Sequence, residues 1–173
     1  FRGGVRGDVP ELIGLMLKNR GGKVLEYTVR KAVPSDKARV EALFLEMLQA
    51  IYNRKDVDGY KEGDIDRFFA GAGDWIYVAE AEGRVEAFLS IEEHHEPADY
   101  IYLDDFSVST PCRGRGIGMA LLKAAEQYAR DRGIPQMVLH VEKSNLRARR
   151  LYERSGFTDD KDEGGRIRMK KLV

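Results

Sequence analysis

The chain is short of cysteine, of net charge and of long apolar runs. Its single cysteine, Cys112, excludes an intrachain disulfide and fits a reducing compartment. Lys plus Arg and Asp plus Glu each number 29, so the formal net charge is zero. That balance excludes the basic excess of a general nucleic-acid binder, and no nucleic-acid partner is expected. No run approaches the ~18 apolar residues that would span a bilayer, so no membrane partner is expected either. The opening "FRGGVRGDVPELIGLMLKNRGG" holds only a brief apolar stretch, interrupted by Glu11 and Gly14, weaker than a secretion signal. These deficits place the expected location in the cytoplasm. What remains is 173 residues, 43% hydrophobic and 34% charged, enough for one domain with a real core.

Residues 1–24 read as an N-terminal arm. Asp8-Val9-Pro10-Glu11 has a capping-box pattern, and Leu12, Ile13, Leu15, Met16 and Leu17 predict one short helix ended by Gly21-Gly22. From residue 25 to residue 173 the pattern is that of a single α/β domain. "LEYTVRKAV" alternates as a strand. Ser35 is placed to cap a helix from Asp36 to Tyr52, and a second helix is predicted from Asp64 to Ala70. "WIYVAEAEGRVEAFLSIEE" reads as a hairpin turning at Glu82-Gly83, and "YIYLDDFSVS" as another strand. A helix follows from Gly116 to Arg132, closed by Gly133. Then come a strand over 136–142, a helix in "SNLRARRLYERSGF" and a last strand, "RIRMKKL".

"CRGRGIGMALL" puts Gly114, Gly116 and Gly118 directly before a helix, where each glycine costs about 1 kcal/mol relative to alanine. A bare backbone at a helix N-terminus is able to receive an anion. The first N–H groups have no partner inside the helix, and the macrodipole leaves positive charge there. Arg113 and Arg115 add donors. A dinucleotide fingerprint fails because Met119 occupies its last glycine position, and no Gly-Lys-Ser/Thr run exists for a P-loop. Two readings stay open from these residues: a site for a phosphate-bearing ligand, or an ordinary strand-to-helix turn.

The R-x-x-G-x-G run from Arg113 to Gly118 is followed by "SNLRARRLYERSGF", with Asn145, Ala148, Leu151, Tyr152, Glu153, Gly156 and Phe157 in register. Together they resemble the GNAT superfamily of acetyl-CoA-dependent N-acetyltransferases. The usual proline three residues before the motif arginine is replaced here by Thr110, with Pro111 next. The resemblance implies an α/β fold with a mixed, mostly antiparallel twisted sheet of about six to seven strands, flanked by about four helices. It also implies a V-shaped splay between the fourth and fifth strands, with acetyl-CoA as co-substrate and no metal. Its pantetheine arm would pair near Phe106 and Val108. Its pyrophosphate would meet Arg113, Gly114, Arg115, Gly116, Ile117, Gly118 and Met119, and Asn145 would add a polar contact. A homodimer is the habit of the family.

Transfer to an amine raises two proton problems. A lysine-like amine with a pKa of ~10.4 is neutral in about one molecule in 2,500 at pH 7. A positioned base offsets part of that deficit, and the departing thiolate needs a proton. Tyr152 matches the family's general acid. "YLDDF" resembles the YLED stretch of diamine and polyamine acetyltransferases, which makes Asp104 the expected base. Strand alternation turns Asp105 away from Asp104, and Asp105 and Glu92 are assigned to the acceptor side as carboxylates. Between Arg84 and Asp105 lie seven acids and one arginine, and between Arg113 and Arg154 ten basic residues against four acids. This layout suits CoA phosphates on one side and a cationic small-molecule amine on the other. A diamine or polyamine is the first acceptor. A protein N-terminus or lysine, an amino acid and an aminoglycoside are the alternatives, and a non-catalytic acyl-CoA sensor is the rival of another class. His94 and His95 diverge on a strand, which disfavours a metal pair.

Overall fold

Alternation of apolar residues builds one twisted sheet with a core on each face. A computed structural model of the chain describes residues 13–18, 22, 24–71 and 73–173. The strands are β1 (Ile13–Lys18), β2 (Val24–Lys31), β3 (Trp75–Ala81), β4 (Arg84–His94), β5 (Tyr100–Val108), β6 (Gln136–Glu142), β7 (Thr158–Asp162) and β8 (Arg166–Leu172). The helices are α1 (Lys37–Tyr52), α2 (Ile117–Arg132) and α3 (Leu146–Arg154). The sheet order is β1-β2-β3-β4-β5-β6-β8-β7. Every neighbouring pair is antiparallel except β5 and β6.

One face buries Leu89, Ile91, Ile101, Leu103, Met137 and Leu139 against Leu121 and Ala125 of α2. The other buries Ile76, Val78 and Phe88 against Val40 and Leu43 of α1. The α/β class, the mostly antiparallel sheet and the two long helices are as the sequence predicts, and the β3–β4 hairpin turns at Glu82 and Gly83, both at positive φ. The predicted splay is present, and with β1 added to the sheet it falls between the fifth and sixth strands instead of the fourth and fifth. β5 and β6 pair only at Ile101–Met137, Tyr102–Val138 and Leu103–Leu139, and then part.

Three local expectations are corrected, and one strand appears that no apolar pattern announces. Residues 13–18 are not a helix but β1, paired with β2 from Ile13–Val29 to Lys18–Val24. So short a segment cannot sustain a helix alone, and the free edge of β2 offers its backbone a full set of partners. The rest of the predicted arm helix lies outside the described residues. Asp36, not Ser35, organises the start of α1, accepting from the Val33 N–H at 2.8 Å and from Arg30 at 2.7 and 3.0 Å. The predicted helix over 64–70 is a single 3-10 turn, Asp66–Phe69. "TDDKD" forms β7, which its polar composition conceals.

β5 carries one irregularity that shapes the site. Leu103 pairs with Ile91 and Phe106 with Leu89, so Asp104 and Asp105 stand opposite Ser90 alone. This is a β-bulge, two residues against one. The buried Ser90 holds it: its hydroxyl accepts from the Asp105 N–H at 2.8 Å and donates to the Asp105 carbonyl at 3.3 Å.

Candidate active site

Parity along β5 changes at the bulge. Ile101 and Leu103 face α2, and so do Phe106 and Val108. Asp104 and Asp105 therefore both project to the α1 face, and the expectation that they face apart is overturned. Asp105 accepts a hydrogen bond from the Tyr60 hydroxyl at 2.5 Å, and the Tyr60 ring stacks on Phe44 of α1 at 3.9 Å. Arg67, on the 3-10 turn, lies 3.8 Å from Asp104, pairs with Asp74 at 2.7 Å and bonds Glu92. Glu92 also meets His94 Nε2 at 3.0 Å.

Desolvation sets the protonation of these carboxylates, and their crowding adds to it. Burial, followed by the charges of Asp105 and Glu92, pushes Asp104 up to about 6 against the pull of Arg67. Burial also raises Asp105, with the Tyr60 hydrogen bond and Arg67 opposing. Tyr60 is raised by burial and by Asp105, so it stays a donor. Tyr102, two residues before Asp104, is pushed up to about 12 by burial and the Asp104 charge. Its hydroxyl meets His140 Nδ1 at 2.9 Å.

At the other end of β5 the chain prepares an anion site. Gly114 and Gly116 have φ of 76° and 84°, a left-handed conformation that other residues avoid. Gly116 caps α2 without a side-chain oxygen. Among the described residues, the N–H groups from Gly114 through Met119 have no protein acceptor; the nearest bonds are Arg113 N to the Thr110 carbonyl and Ala120 N to the Gly116 carbonyl. Gly118 serves packing instead: a Cβ there would stand 3.0 Å from Phe106 Cζ and 3.2 Å from Leu151 Cδ2. Ile117 is buried, and the Met119 sulfur accepts from the Ser155 hydroxyl at 3.2 Å.

Thr110, Pro111, Arg113, Arg115 and Arg147 line a cavity of about 260 Å3 beside this turn. Among the described residues, no carboxylate pairs with Arg113, Arg115 or Arg147. Burial and then the charge of Arg147 depress Arg113. Unpaired cations gathered around open N–H groups suit a polyanion, and this donor set fits the diphosphate of CoA.

The two ends are joined by an open strand edge. The Ser109 N–H bonds Glu86 of β4 at 2.8 Å, which turns the Val108 carbonyl toward the side that β6 has left. Arg113 Nε donates to that carbonyl at 2.9 Å. From Asp104 to Val108 the edge runs about 13 Å at 3.3 Å per residue. Tyr152 stands over its middle, 9% exposed, with its ring centroid 6.3 Å from that of Phe106 and 5.9 Å from that of Phe157. Among the described residues its hydroxyl has no hydrogen-bond partner, and burial, reinforced by Tyr102, holds the phenol protonated.

The structure thus brings Asp104, Asp105 and Glu92 together on the α1 face, and Phe106, Tyr152 and the 113–119 turn on the other side of the splay. Asn145 spends its Oδ1 on capping α3, accepting from the Ala148 N–H at 3.1 Å. Arg147, two residues on, lines the cavity. Tyr60, Arg67, Tyr102 and Arg147 carry no assignment from sequence.

Comparison with known proteins agrees with this geometry. The model of the acetyltransferase (GNAT) family matches residues 41–157. An uncharacterized N-acetyltransferase, YhfO of Bacillus subtilis, is 30% identical over 135 residues, covering 76% of this chain and 90% of that protein. A mycothiol acetyltransferase of Thermomonospora curvata is 36% identical over 83 residues, covering 48% of this chain but only 27% of that protein. Among solved structures, the PaiA N-acetyltransferase of Thermoplasma acidophilum in complex with coenzyme A superposes with a TM-score of 0.71 at 18% identity, covering 85% of this chain and 99% of that one. The family match spans the sheet from β3 to β6, the open edge and the glycine turn alike. The chain belongs to the GNAT family of acetyltransferases.

Proposed function

We propose that the domain transfers an acetyl group from acetyl-CoA to a primary amine by direct attack, with a small diamine or polyamine as the first acceptor class. One observation carries the reading: β5 leaves β6 after Leu103 and exposes an edge with a carboxylate pair at its start and an anion-binding turn at its end. The N–H groups of residues 114–119, with Arg113, Arg115 and Arg147, would hold the diphosphate. Acetyl-CoA supplies the activated acyl group as a thioester.

The remaining steps belong to side chains of the chain. Asp104, Asp105 and Glu92 outnumber Arg67 and favour a cationic acceptor. Asp104 takes a proton from it. At about 6, its pKa narrows the gap to an amine near 10.4 from about six and a half pH units to about four and a half. The Tyr152 hydroxyl, protonated and without another partner, donates to the departing sulfur. A free thiol has a pKa near 8.5, below that of the phenol, so Tyr152 acts chiefly as a hydrogen-bond donor that stabilises the thiolate.

Tyr152→Phe should lower kcat about 10- to 100-fold, with acetyl-CoA affinity by calorimetry unchanged within twofold. Equal turnover in the two proteins would remove Tyr152 from the chemistry. Arg147→Ala should weaken acetyl-CoA binding about tenfold, the scale of one charge-assisted hydrogen bond. The deficit should shrink as salt is added. A thiol-release screen with acetyl-CoA against 1,4-diaminobutane, spermidine, lysine, an aminoglycoside and an alanine-led peptide tests the acceptor class. Release with none of them would leave a sensor domain as the better reading.

A further inference from the structure

Beside the carboxylate pair lies a chain of polar groups that the transfer scheme leaves unused. Tyr102 and Asp104 share the α1 face of β5. The Tyr102 hydroxyl and His140 Nδ1, 2.9 Å apart, link β5 to β6 at the point where the two strands part. His140 Nε2 lies 3.2 Å from Glu163 Oε2, in the turn between β7 and β8. Glu163 is partly exposed and is also met by Arg166 Nε at 3.2 Å and Lys161 at 3.8 Å. An ionised carboxylate only accepts, which assigns the proton to Nε2 and leaves the Nδ1 lone pair for the Tyr102 hydroxyl. The Tyr102 oxygen keeps its own lone pairs free for a donor on the acceptor side.

We propose that Tyr102, His140 and Glu163 form a proton exit from the acceptor side of the splay to solvent. The inference rests on the amine-acetyltransferase reading above. The nitrogen of an ammonium acceptor gives up two protons on its way to an amide. One balances the departing thiolate, and one leaves to bulk water. Asp104 takes the proton lost before attack; that proton balances the thiolate, which leaves hydrogen-bonded to Tyr152 and is protonated as Asp104 returns to its carboxylate. The exit takes the one lost as the tetrahedral adduct collapses: it passes from nitrogen to the Tyr102 oxygen while the Tyr102 proton passes to His140 Nδ1. The imidazolium rests against Glu163 until it sheds a proton to water. Tyr102 is the catalytic residue of the set, and His140 and Glu163 act through it as positioning residues.

An acidic pocket makes such a path useful, because carboxylates that capture an ammonium also retain its proton. The groups facing His140 are Tyr102 from β5, Glu163 from the β7–β8 turn, and Arg166 and Arg168 from β8. His94 of β4 stands against the far side of Tyr102, ring centroids 6.5 Å apart. Burial and the two guanidiniums hold the imidazole below its ordinary value, so it rests neutral and ready to accept.

The test uses the full chain, saturating acetyl-CoA and the amine of the panel above that the unaltered protein turns over fastest. His140→Ala should lower kcat about tenfold at pH 7.5, with KM for both substrates within twofold, and free imidazole should restore several-fold of the loss. His140→Gln, which preserves bulk and polarity, should show the same kcat loss. Tyr102→Phe should match it and resist imidazole. Unchanged kcat and pH profile in the His140 variants, or a loss that imidazole never restores, would overturn the exit while leaving the acetyltransferase reading intact. An unaltered protein that releases no thiol with any amine of the panel would overturn both.

Discussion

Asp104→Asn is expected to lower turnover roughly 10²- to 10³-fold at pH 7, with acetyl-CoA affinity unchanged. The loss follows from the state of the group. With its pKa raised to about 6, Asp104 is a carboxylate at neutral pH and a neutral acid below. In the unaltered protein kcat/KM for the acceptor should therefore fall about tenfold per pH unit below 6. The variant should lose that limb. Its deficit should shrink as pH climbs toward ~10, where the acceptor nitrogen sheds its proton unaided. Arg67→Ala should move that limb instead of removing it. Arg67 opposes the rise of Asp104, so its removal raises Asp104 further and moves the acid limb above pH 6. Superimposable pH–rate curves for the unaltered protein and Asp104→Asn would remove Asp104 as base.

The parts of the site that were legible in sequence are those fixed by local chemistry. α2 follows from a 3.6-residue apolar period and from glycines at both ends, and its boundaries differ from expectation by one residue at the start. The turn from Arg113 to Gly118 and the "SNLRARRLYERSGF" helix carry their pattern in contiguous residues. The orientation of Asp104 and Asp105 does not. Alternation turns them apart, and only the bulge opposite Ser90, a contact fifteen residues away, turns them the same way. Tyr60 and Arg67 sit in the irregular stretch between α1 and β3, where no periodicity announces a role, and they reach the site through Phe44 and Glu92. Arg147 is one of several arginines in α3, and no local spacing sets it apart; its cavity is made by Thr110 and Pro111, distant in sequence. Likewise β7 is polar along its length, and its pairing comes from β8 rather than from its own composition.

Gly116→Val should weaken acetyl-CoA binding at least 100-fold, and it separates two jobs that adjacent glycines perform. At φ 84° a β-branched residue is strained by about 1–3 kcal/mol, so the turn either stores that strain or relaxes into another conformation. Relaxation re-aims the open N–H groups, each worth about 1.5–3 kcal/mol against a charged partner. Calorimetry with acetyl-CoA should register the loss, while thermal stability changes modestly. Gly118→Ala should behave in the reverse way. Its Cβ meets the Phe106 ring at 3.0 Å and Leu151 at 3.2 Å, so the new methyl overpacks the contact between α2, α3 and β5 by about 1–3 kcal/mol. In a chain of this length that lowers Tm by roughly 2–4 °C per kcal/mol. Phe106 in turn packs beside Tyr152, so turnover should fall with the displaced ring while acetyl-CoA affinity holds within a few-fold. Equal affinity in Gly116→Val and the unaltered protein would mean that the diphosphate lies elsewhere, and that the left-handed turn serves only to start α2.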